Sequence, residues 1–375
     1  MGQSPDGDSY NTIGNGTPLI NGPVEFSPNA FGRTIRSKFT TEPTKFCKQN
    51  DLILCVRGST TGRINIAGFD ACIGRGVAAI RAKHYQPWIN YFIHSRRKHI
   101  HGLGSGATFP NVSGATLSEL KLLFPPLPEQ QRIVRILDQA FESITIAKAN
   151  TEKNLQNARA LFESHLQSVF NQSDDGWVER RLGDIAKTQY GLSEPMNEEG
   201  KGFKIFRMGE VQDGRLIDTG KMKFVDITQA EFEKYKLQLR DVLFNRTNSF
   251  ELVGKTGIFT LPGDYCFASY LVRVLVQPGV ILSEFLNYFM NSAMFQISVK
   301  QKASKSINQA NINATILSNE AVRFPVSLEV QRSVVTQLNA LRIETQRLES
   351  LYQQKLTALD ELKKSLLHQA FTGQL

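Results

Sequence analysis

Long apolar runs, paired cysteines and the short motifs of catalysis are all scarce in this 375-residue sequence. No uninterrupted apolar stretch of about 18 residues or more occurs, which excludes an ordinary transmembrane helix. The opening, Met1 to Tyr10, lacks the apolar core of a secretory signal. Four cysteines (Cys47, Cys55, Cys72 and Cys266) stand far apart, with no Cys-x-x-Cys pair. That pattern argues against a zinc site or a disulfide framework and fits a reducing cytoplasm.

The loop of a DNA-adenine methyltransferase, Asn or Asp followed by Pro-Pro and an aromatic ring, is missing. Phe124-Pro125-Pro126-Leu127 is not that loop. Gly102-Leu103-Gly104-Ser105-Gly106 lacks the Gly-x-Gly-x-x-Gly spacing and reads as a loop that exposes backbone. No Gly-x-x-x-x-Gly-Lys-Ser/Thr loop supports a motor driven by ATP. His99-Ile100-His101 has no acid or cysteine beside it to complete a metal site. The expectation is a chain that binds no cofactor or metal and catalyses nothing by itself.

What is present is an ordinary core composition, an excess of positive charge and self-similarity. Hydrophobic residues make up 41% and charged residues 21%, enough apolar material for a core in more than one domain. The net charge of +9 is unevenly spread. Residues 1–124 carry 14 Lys and Arg against 7 Asp and Glu, and residues 177–324 carry 19 against 16. Residues 125–170 and 325–375 are close to balance. A basic surplus favours polyanionic partners, although a solubilising surface explains it equally well.

The self-similarity has an offset near 200 residues. Phe124-Pro125 through Glu129-Gln130-Gln131-Arg132 returns as Phe324-Pro325 through Glu329-Val330-Gln331-Arg332. Upstream, Asp51-Leu52-Ile53-Leu54 matches Asp241-Val242-Leu243-Phe244, and Gly62-Arg63 matches Gly254-Lys255. Cys72 matches Cys266, Trp88 to Phe92 matches Phe285 to Phe289, and Asn111-Val112 matches Asn311-Ile312. An ordered series of matches sets the architecture before any motif does. One stretch has no partner. Gly191-Leu192-Ser193 aligns with Gly2-Gln3-Ser4, yet nothing ahead of Gly2 answers Trp177 to Tyr190. The first lobe is therefore expected to lack its opening strand or turn, through an upstream start or a truncated gene.

Each repeat ends in a helical pattern. Apolar or small residues fall at 133, 137, 140, 144, 147, 151, 155, 158, 162 and 166, alternating steps of three and four as in a coiled-coil seam. Leu338, Leu341, Thr345, Leu348, Tyr352, Leu356 and Leu359 repeat the seam 201 residues later. Pro125, Pro126 and Pro128 should precede the first helix, and Thr372-Gly373 should stop the second. Each helix, at about 40 residues, would run roughly 60 Å, too long to bury a seam alone. Antiparallel pairing of the two puts one lobe at each end; dimerisation with another molecule's helices is the alternative.

The lobes mix short strands, at Asp51–Arg57 and Tyr270–Val276, with glycine-rich turns and short helices at Gln86–Ser95 and Ser283–Met294. The predicted fold is α+β: two globular lobes alternating with two long helices paired as an antiparallel coiled coil, with a pseudo-twofold internal repeat. Its segments are 1–124, 125–176, 177–324 and 325–375.

On these motifs the chain resembles the specificity (S) subunit of type I restriction–modification systems over its whole length, apart from the missing start. The residues that carry the resemblance are Pro126-Leu127-Pro128-Glu129-Gln130-Gln131-Arg132-Ile133-Val134, its degenerate second copy, Leu182-Gly183-Asp184 and Ala370-Phe371-Thr372-Gly373. It implies two target-recognition domains on double-stranded DNA. It implies spacer helices that dock two adenine-methyltransferase subunits, with motor-nuclease subunits joining that core. S-adenosylmethionine, ATP and Mg would belong to those partners. A soluble cytoplasmic complex is implied, with no membrane.

Candidate DNA-binding residues come from loops at matched positions. In lobe one they are Arg57, Ser59, Thr60, Arg63, Arg75, Thr108 and Asn111, with Arg96-Arg97-Lys98 as a phosphate clamp. In lobe two they are Arg246, Asn248, Ser249, Lys255, Ser269, Ser306 and Asn308, with Lys300, Lys302 and Lys305 as the clamp. Gln131, Arg132, Gln331 and Arg332 are expected to tie each helix to its lobe or to meet the methyltransferase. The rival from another class is a coiled-coil scaffold whose lobes bind protein; it would show no sequence-selective DNA affinity. A self-sufficient restriction enzyme is disfavoured by the missing motifs.

Overall fold

The computed structural model describes residues 1–375 except 105–110, 172–175 and 306–308. It divides into two compact units. Unit one is Met1–Glu152 with Gln354–Leu375, and unit two is Lys153–Gln353. Each unit thus takes one lobe and one half of each long helix.

In unit one the run Leu52–Cys55 is apolar at every position and is buried at every position, as a strand covered on both faces requires. It pairs antiparallel with Ile64–Ile66 and Val77–Ile80. A second sheet runs Tyr10–Asn11, Phe39–Thr40, Thr17–Ile20, Ala71–Ile73 and Phe46–Cys47 in spatial order. The helix Gln86–Gly102 turns Trp88, Tyr91, Phe92 and Ile100 inward, the three- and four-residue spacing of a covered helix face. These side chains pack with Ile133, Leu137 and Phe141 of the central helix and with Leu367, Ala370 and Phe371 of the last one. The last helix runs against the central one here: Arg132 donates to the Leu375 carbonyl at 2.7 Å, and Lys148 pairs with Asp360 at 2.7 Å.

Unit two is built from the same kinds of part with more strands. Val242–Asn245 is again buried throughout and lies between Thr256–Ile258 and Leu271–Val276. Ala186–Tyr190 adds a further strand on the outer edge of Leu271–Val276. Trp177–Arg181 pairs with Ala321–Pro325. Cys266 lies beside Ile205 in a parallel pair, as Cys72 lies beside Leu19 in unit one. The helix Ser283–Met290 buries Phe285, Leu286, Tyr288 and Phe289 against Leu166, Phe170 and Leu338.

The same turn opens the buried strand in both units. Asn50 and Arg240 adopt positive φ, +73° and +75°. The carboxylate that follows, Asp51 or Asp241, accepts from the backbone N–H three residues back, Lys48 or Gln238.

Three expectations shift in detail. The long helices run Leu127–Asn171 and Leu328–Thr372, so Pro128 sits inside the first turn. There its missing N–H would have had no intrahelical partner anyway. The helix expected to end at Ser95 continues to Gly102. The one expected over Ser283–Met294 is two helices, broken where the Ser292 side chain caps Ala293–Gln301 by accepting from the Phe295 N–H. Gly373, at φ +76°, ends the last helix as foreseen.

Candidate nucleic-acid interface

In each unit a loop leaves the buried strand and returns to it. In unit one, Gly62 donates to the Cys55 carbonyl and Cys55 to the Arg63 carbonyl, both within 2.9 Å. In unit two, Gly254 donates to Asn245 and Asn245 to Lys255, each at 2.8 Å. Gly62 and Gly254 need positive φ, +89° and +91°. A Cβ on Gly62 would also lie 2.7 Å from the Arg97 carbonyl oxygen. A side chain from the neighbouring helix braces each loop: Arg97 Nε donates to the Gly62 carbonyl, and Gln296 Nε2 donates to that of Gly254.

Each loop stem carries an arginine, but one residue out of register: Val56 matches Arg246, and Arg57 matches Thr247, since Val112 and Ile312 donate to the Val56 and Arg246 carbonyls. Arg57 Nε reaches Asn111 Oδ1 at 3.2 Å. Its two terminal nitrogens bond to no described residue, and the side chain is exposed. Arg246 also reaches its asparagine, Asn311, at 3.2 Å, and it donates to the Ser269 carbonyl. Its guanidinium lies 4.9 Å from the centre of the Tyr190 ring. Arg57 is therefore presented for contact, while Arg246 is held inside its unit.

The other lobe-one candidates gather on one side. Arg63, Arg96, Arg97 and Lys98 line a groove with Ser59 and Thr60. The opposite wall is the last helix, with Lys363, Lys364 and His368; the groove encloses about 900 Å³. Among its described lining residues the one acid is Asp360, already paired with Lys148. Burial, and then Arg63, lowers the Arg97 pKa. Burial, and then Lys148, lowers that of Lys363. With one acid among its described lining residues, the groove is electropositive. Arg75 is exposed beside Ser4, whose hydroxyl accepts its backbone N–H.

The lobe-two candidates are more dispersed. Lys302 pairs at 2.8 Å with Glu320, which is 1% exposed and also accepts from the Ser298 hydroxyl. Lys300 donates to the Glu251 carbonyl, and its pKa is lowered by burial and then by Lys255. Asn248 Oδ1 accepts from the Ser249 N–H. Lys255 lines a groove of about 550 Å³ with Arg159, Glu163, Asp213, Arg342 and Glu349, where the signs balance. Lys305 is described only through its backbone, which pairs with Ala310. Thr108, Ser306 and Asn308 lie outside the described residues.

At the helix junctions the working side chains are Gln331 and Gln130. Gln331 Nε2 donates to the Pro325 carbonyl, and its Oε1 accepts from Leu282 N–H. Gln130 Nε2 donates to the Pro125 carbonyl and is 2% exposed. Gln131 and Arg332 are exposed, and Arg132 pairs with Glu129. Gln130 and the pair Lys363 and Lys364 were not among the sequence candidates. The signal for Gln130 was the seam offset of 201, which matches it to Gln331.

Among the described residues, no group of three or more His, Cys, Asp or Glu could hold a metal. No described helix is long and apolar enough to cross a membrane.

A family model described as the type I restriction modification DNA specificity domain matches residues 10–157 and 174–358. The chain is 25% identical over 324 residues to the type I restriction enzyme StySPI specificity subunit of Salmonella potsdam, covering 82% of this chain and 70% of that one. It is 25% identical over 294 residues to the EcoKI specificity subunit of Escherichia coli K12, covering 74% of this chain and 63% of that one. It is also similar to a chain in a structure on complex assembly and conformational transition of the type I R-M system, with TM-score 0.78, 19% identity and 96% and 92% coverage. The HsdS subunit from Thermoanaerobacter tengcongensis is similar with TM-score 0.64, at 19% identity and 96% and 91% coverage.

Proposed function

The chain belongs to the type I restriction modification DNA specificity family, and from that premise we propose that it reads a bipartite duplex target, one half-site per lobe. The observation that carries this reading is the loop built twice, each with an arginine from the strand's end, one residue out of register with the other, on a matched asparagine: Arg57 on Asn111 and Arg246 on Asn311. Arginine is the usual major-groove reader of guanine, and asparagine of adenine. The basic groove beside the first loop would hold phosphates and set register without reading sequence.

The long helices are the spacer. Their opposed directions at Lys148–Asp360 and Arg159–Glu349 support an antiparallel coiled coil, and the paired turns, loops and junction glutamines support an internal repeat. Two lobes on such a spacer suit half-sites one or more DNA turns apart, each turn being about 34–36 Å. Two adenine-methyltransferase subunits and motor-nuclease subunits would supply catalysis, along with S-adenosylmethionine, ATP and Mg. The assembly would work in the cytoplasm.

Co-expression with an adenine methyltransferase of the same system, followed by genome-wide mapping of N6-methyladenine, tests the reading. A split motif methylated only in the presence of this chain is expected. Arg57→Ala should relax one position of the half-site read by lobe one, with about 1–3 kcal/mol of lost discrimination. Methylation that is independent of the chain, or a motif without an unread gap, overturns it.

A further inference from the structure

Lys363 lines two hollows of unit one. One is the basic groove of about 900 Å³, and the other is a pocket of about 340 Å³ walled by Phe31, Tyr91, His94 and Phe141. The side chain is half-buried, with Nζ 4.5 Å from the centre of the Phe141 ring. It forms no hydrogen bond or ion pair with a described residue. Asp360, one turn earlier on the same helix, is taken by Lys148 at 2.7 Å. Arg97 and His94 face Lys363 from the helix Gln86–Gly102, and Glu142 shares the pocket.

Burial, and then Lys148, lower the Lys363 pKa. A desolvated amine beside other cations spends more time unprotonated, and the unprotonated amine is the nucleophile. Arg63, Arg96, Arg97, Lys98 and Lys364 line the same groove. A concave cationic surface raises the local concentration of small anions.

Two other lysines separate these features. Lys364 lines the groove but is exposed. Lys300 is half-buried, and its pKa is lowered by burial and then by Lys255. Its Nζ, however, donates to the Glu251 carbonyl at 2.8 Å, and Lys255 lines a groove in which the signs balance. Of these three, Lys363 alone combines a desolvated amine that bonds to no described residue with a cationic groove.

We propose that Lys363 is a modification site for small acyl phosphates, with the groove cations holding the phosphate and the amine taking the acyl group. The Nζ lone pair forms a bond to the acyl carbon. The bond from that carbon to the phosphate oxygen breaks, and phosphate leaves with the electron pair. The nitrogen gives up its proton to water, so the products are an N-acyl lysine and inorganic phosphate, with no change of oxidation state. The amide removes one charge from the groove. A weaker hold on DNA would follow from that loss and rests on the function proposed above; the modification does not.

The test incubates the full chain with acetyl phosphate and follows acetylation of each lysine by peptide mass spectrometry, in the absence of DNA. Lys363 should react several-fold faster than Lys300 and Lys364. Inorganic phosphate should slow Lys363 and leave Lys300 unchanged. Acetylimidazole, a donor without negative charge, should shrink the lead of Lys363 over Lys300. Arg63→Gln should shrink it too when acetyl phosphate is the donor; the phosphate and acetylimidazole arms use the unaltered chain and stand even if that variant folds poorly. Equal rates at Lys363 and Lys364 would mean that burial does not activate the amine. Equal rates at Lys363 and Lys300, or a lead that survives both phosphate and acetylimidazole, would mean that the groove does not guide the donor. Each of these results overturns the proposal.

Discussion

Unit one and unit two keep the same shapes and exchange the charges that line them. The central helix of unit one offers Phe141 to a cation on the last helix, Lys363 at 4.5 Å from the ring. In unit two the cation is Arg342, 4.8 Å from Phe162 and 4.9 Å from Tyr288. At the seam offset of 201, Phe141 matches Arg342 and Phe162 matches Lys363, so the aromatic and the cation have traded repeat-matched positions while the aromatic stays on the central helix and the cation on the last one. The grooves beside them diverge in the same way, one lined by cations with Asp360 as the one acid among its described residues and the other balanced. Packing constrains volume and contact at these sites, and it leaves charge free to follow what each groove must meet.

The matched carboxylates give the sharpest way to break the comparison. Asp241 is paired with Arg273 where both side chains are about nine-tenths covered, and Arg273 also donates to Gln189 Oε1 and the Lys236 carbonyl. Asp51 is equally covered, but its partner Arg81 is 58% exposed. Arg273→Ala should cost about 3–5 kcal/mol by leaving a buried carboxylate without its cation. Arg81→Ala should cost clearly less, because water can replace an exposed partner. Urea unfolding of both variants checks this, and equal losses would show that the burial difference has no energetic consequence.

A second contrast depends on pH. His94 lies among Phe31, Phe141 and Lys363, its Nδ1 buried with no hydrogen-bond partner among the described residues. Its counterpart Asn291 does not titrate and is hydrogen-bonded to Thr256 and Asn287. Burial, and then Arg97 and Lys363, lower the His94 pKa to about 4. The folded state therefore binds this proton less well than the unfolded state. The associated stability is full above an unfolded pKa of about 6.5 and is lost as pH falls toward about 4, amounting to about 2–3 kcal/mol. His94→Asn should flatten that part of the stability profile, and an unchanged slope would place the acid sensitivity elsewhere.

The clamps separate by salt dependence. Lys363→Ala with Lys364→Ala should weaken binding to all DNA sequences and reduce the salt slope by about 1–2. Lys302→Ala should leave the slope unchanged and destabilise unit two, since Lys302 neutralises the buried Glu320. Filter binding across a salt series distinguishes the two. The smallest effect concerns the shared turn. Asparagine tolerates positive φ better than arginine does, so Arg240→Asn should stabilise unit two by about 0.5–1 kcal/mol, and Asn50→Arg should destabilise unit one by a similar amount.

Much of the architecture was legible in the sequence. The seam residues Ile133, Leu137 and Ile144 are buried, as is Leu338 in the second copy. The buried strands and Gly373 also fall where periodicity and composition put them. Gln130 was not singled out, because matching the proline motif at an offset of 200 hides a register that the helix keeps at 201. Lys363 and Lys364 were passed over because their segment is nearly neutral and reads as spacer. They become part of a basic groove only when that helix returns beside Arg63 and Arg97.

The sequence by itself determined the repeat order of lobe and helix, the buried strands found at Leu52–Cys55 and Leu271–Val276, and the family. Periodicity and glycine placement are local, and local rules are written in the order of residues. Tertiary structure alone decided what surrounds the arginine on each loop stem. Arg57 is exposed with its Nε on Asn111, whereas Arg246 lies 4.9 Å from the Tyr190 ring centre and donates to Asn311 and the Ser269 carbonyl. Whether a cation meets solvent, a ring or a carboxylate depends on distant segments brought together, and no local pattern carries that information.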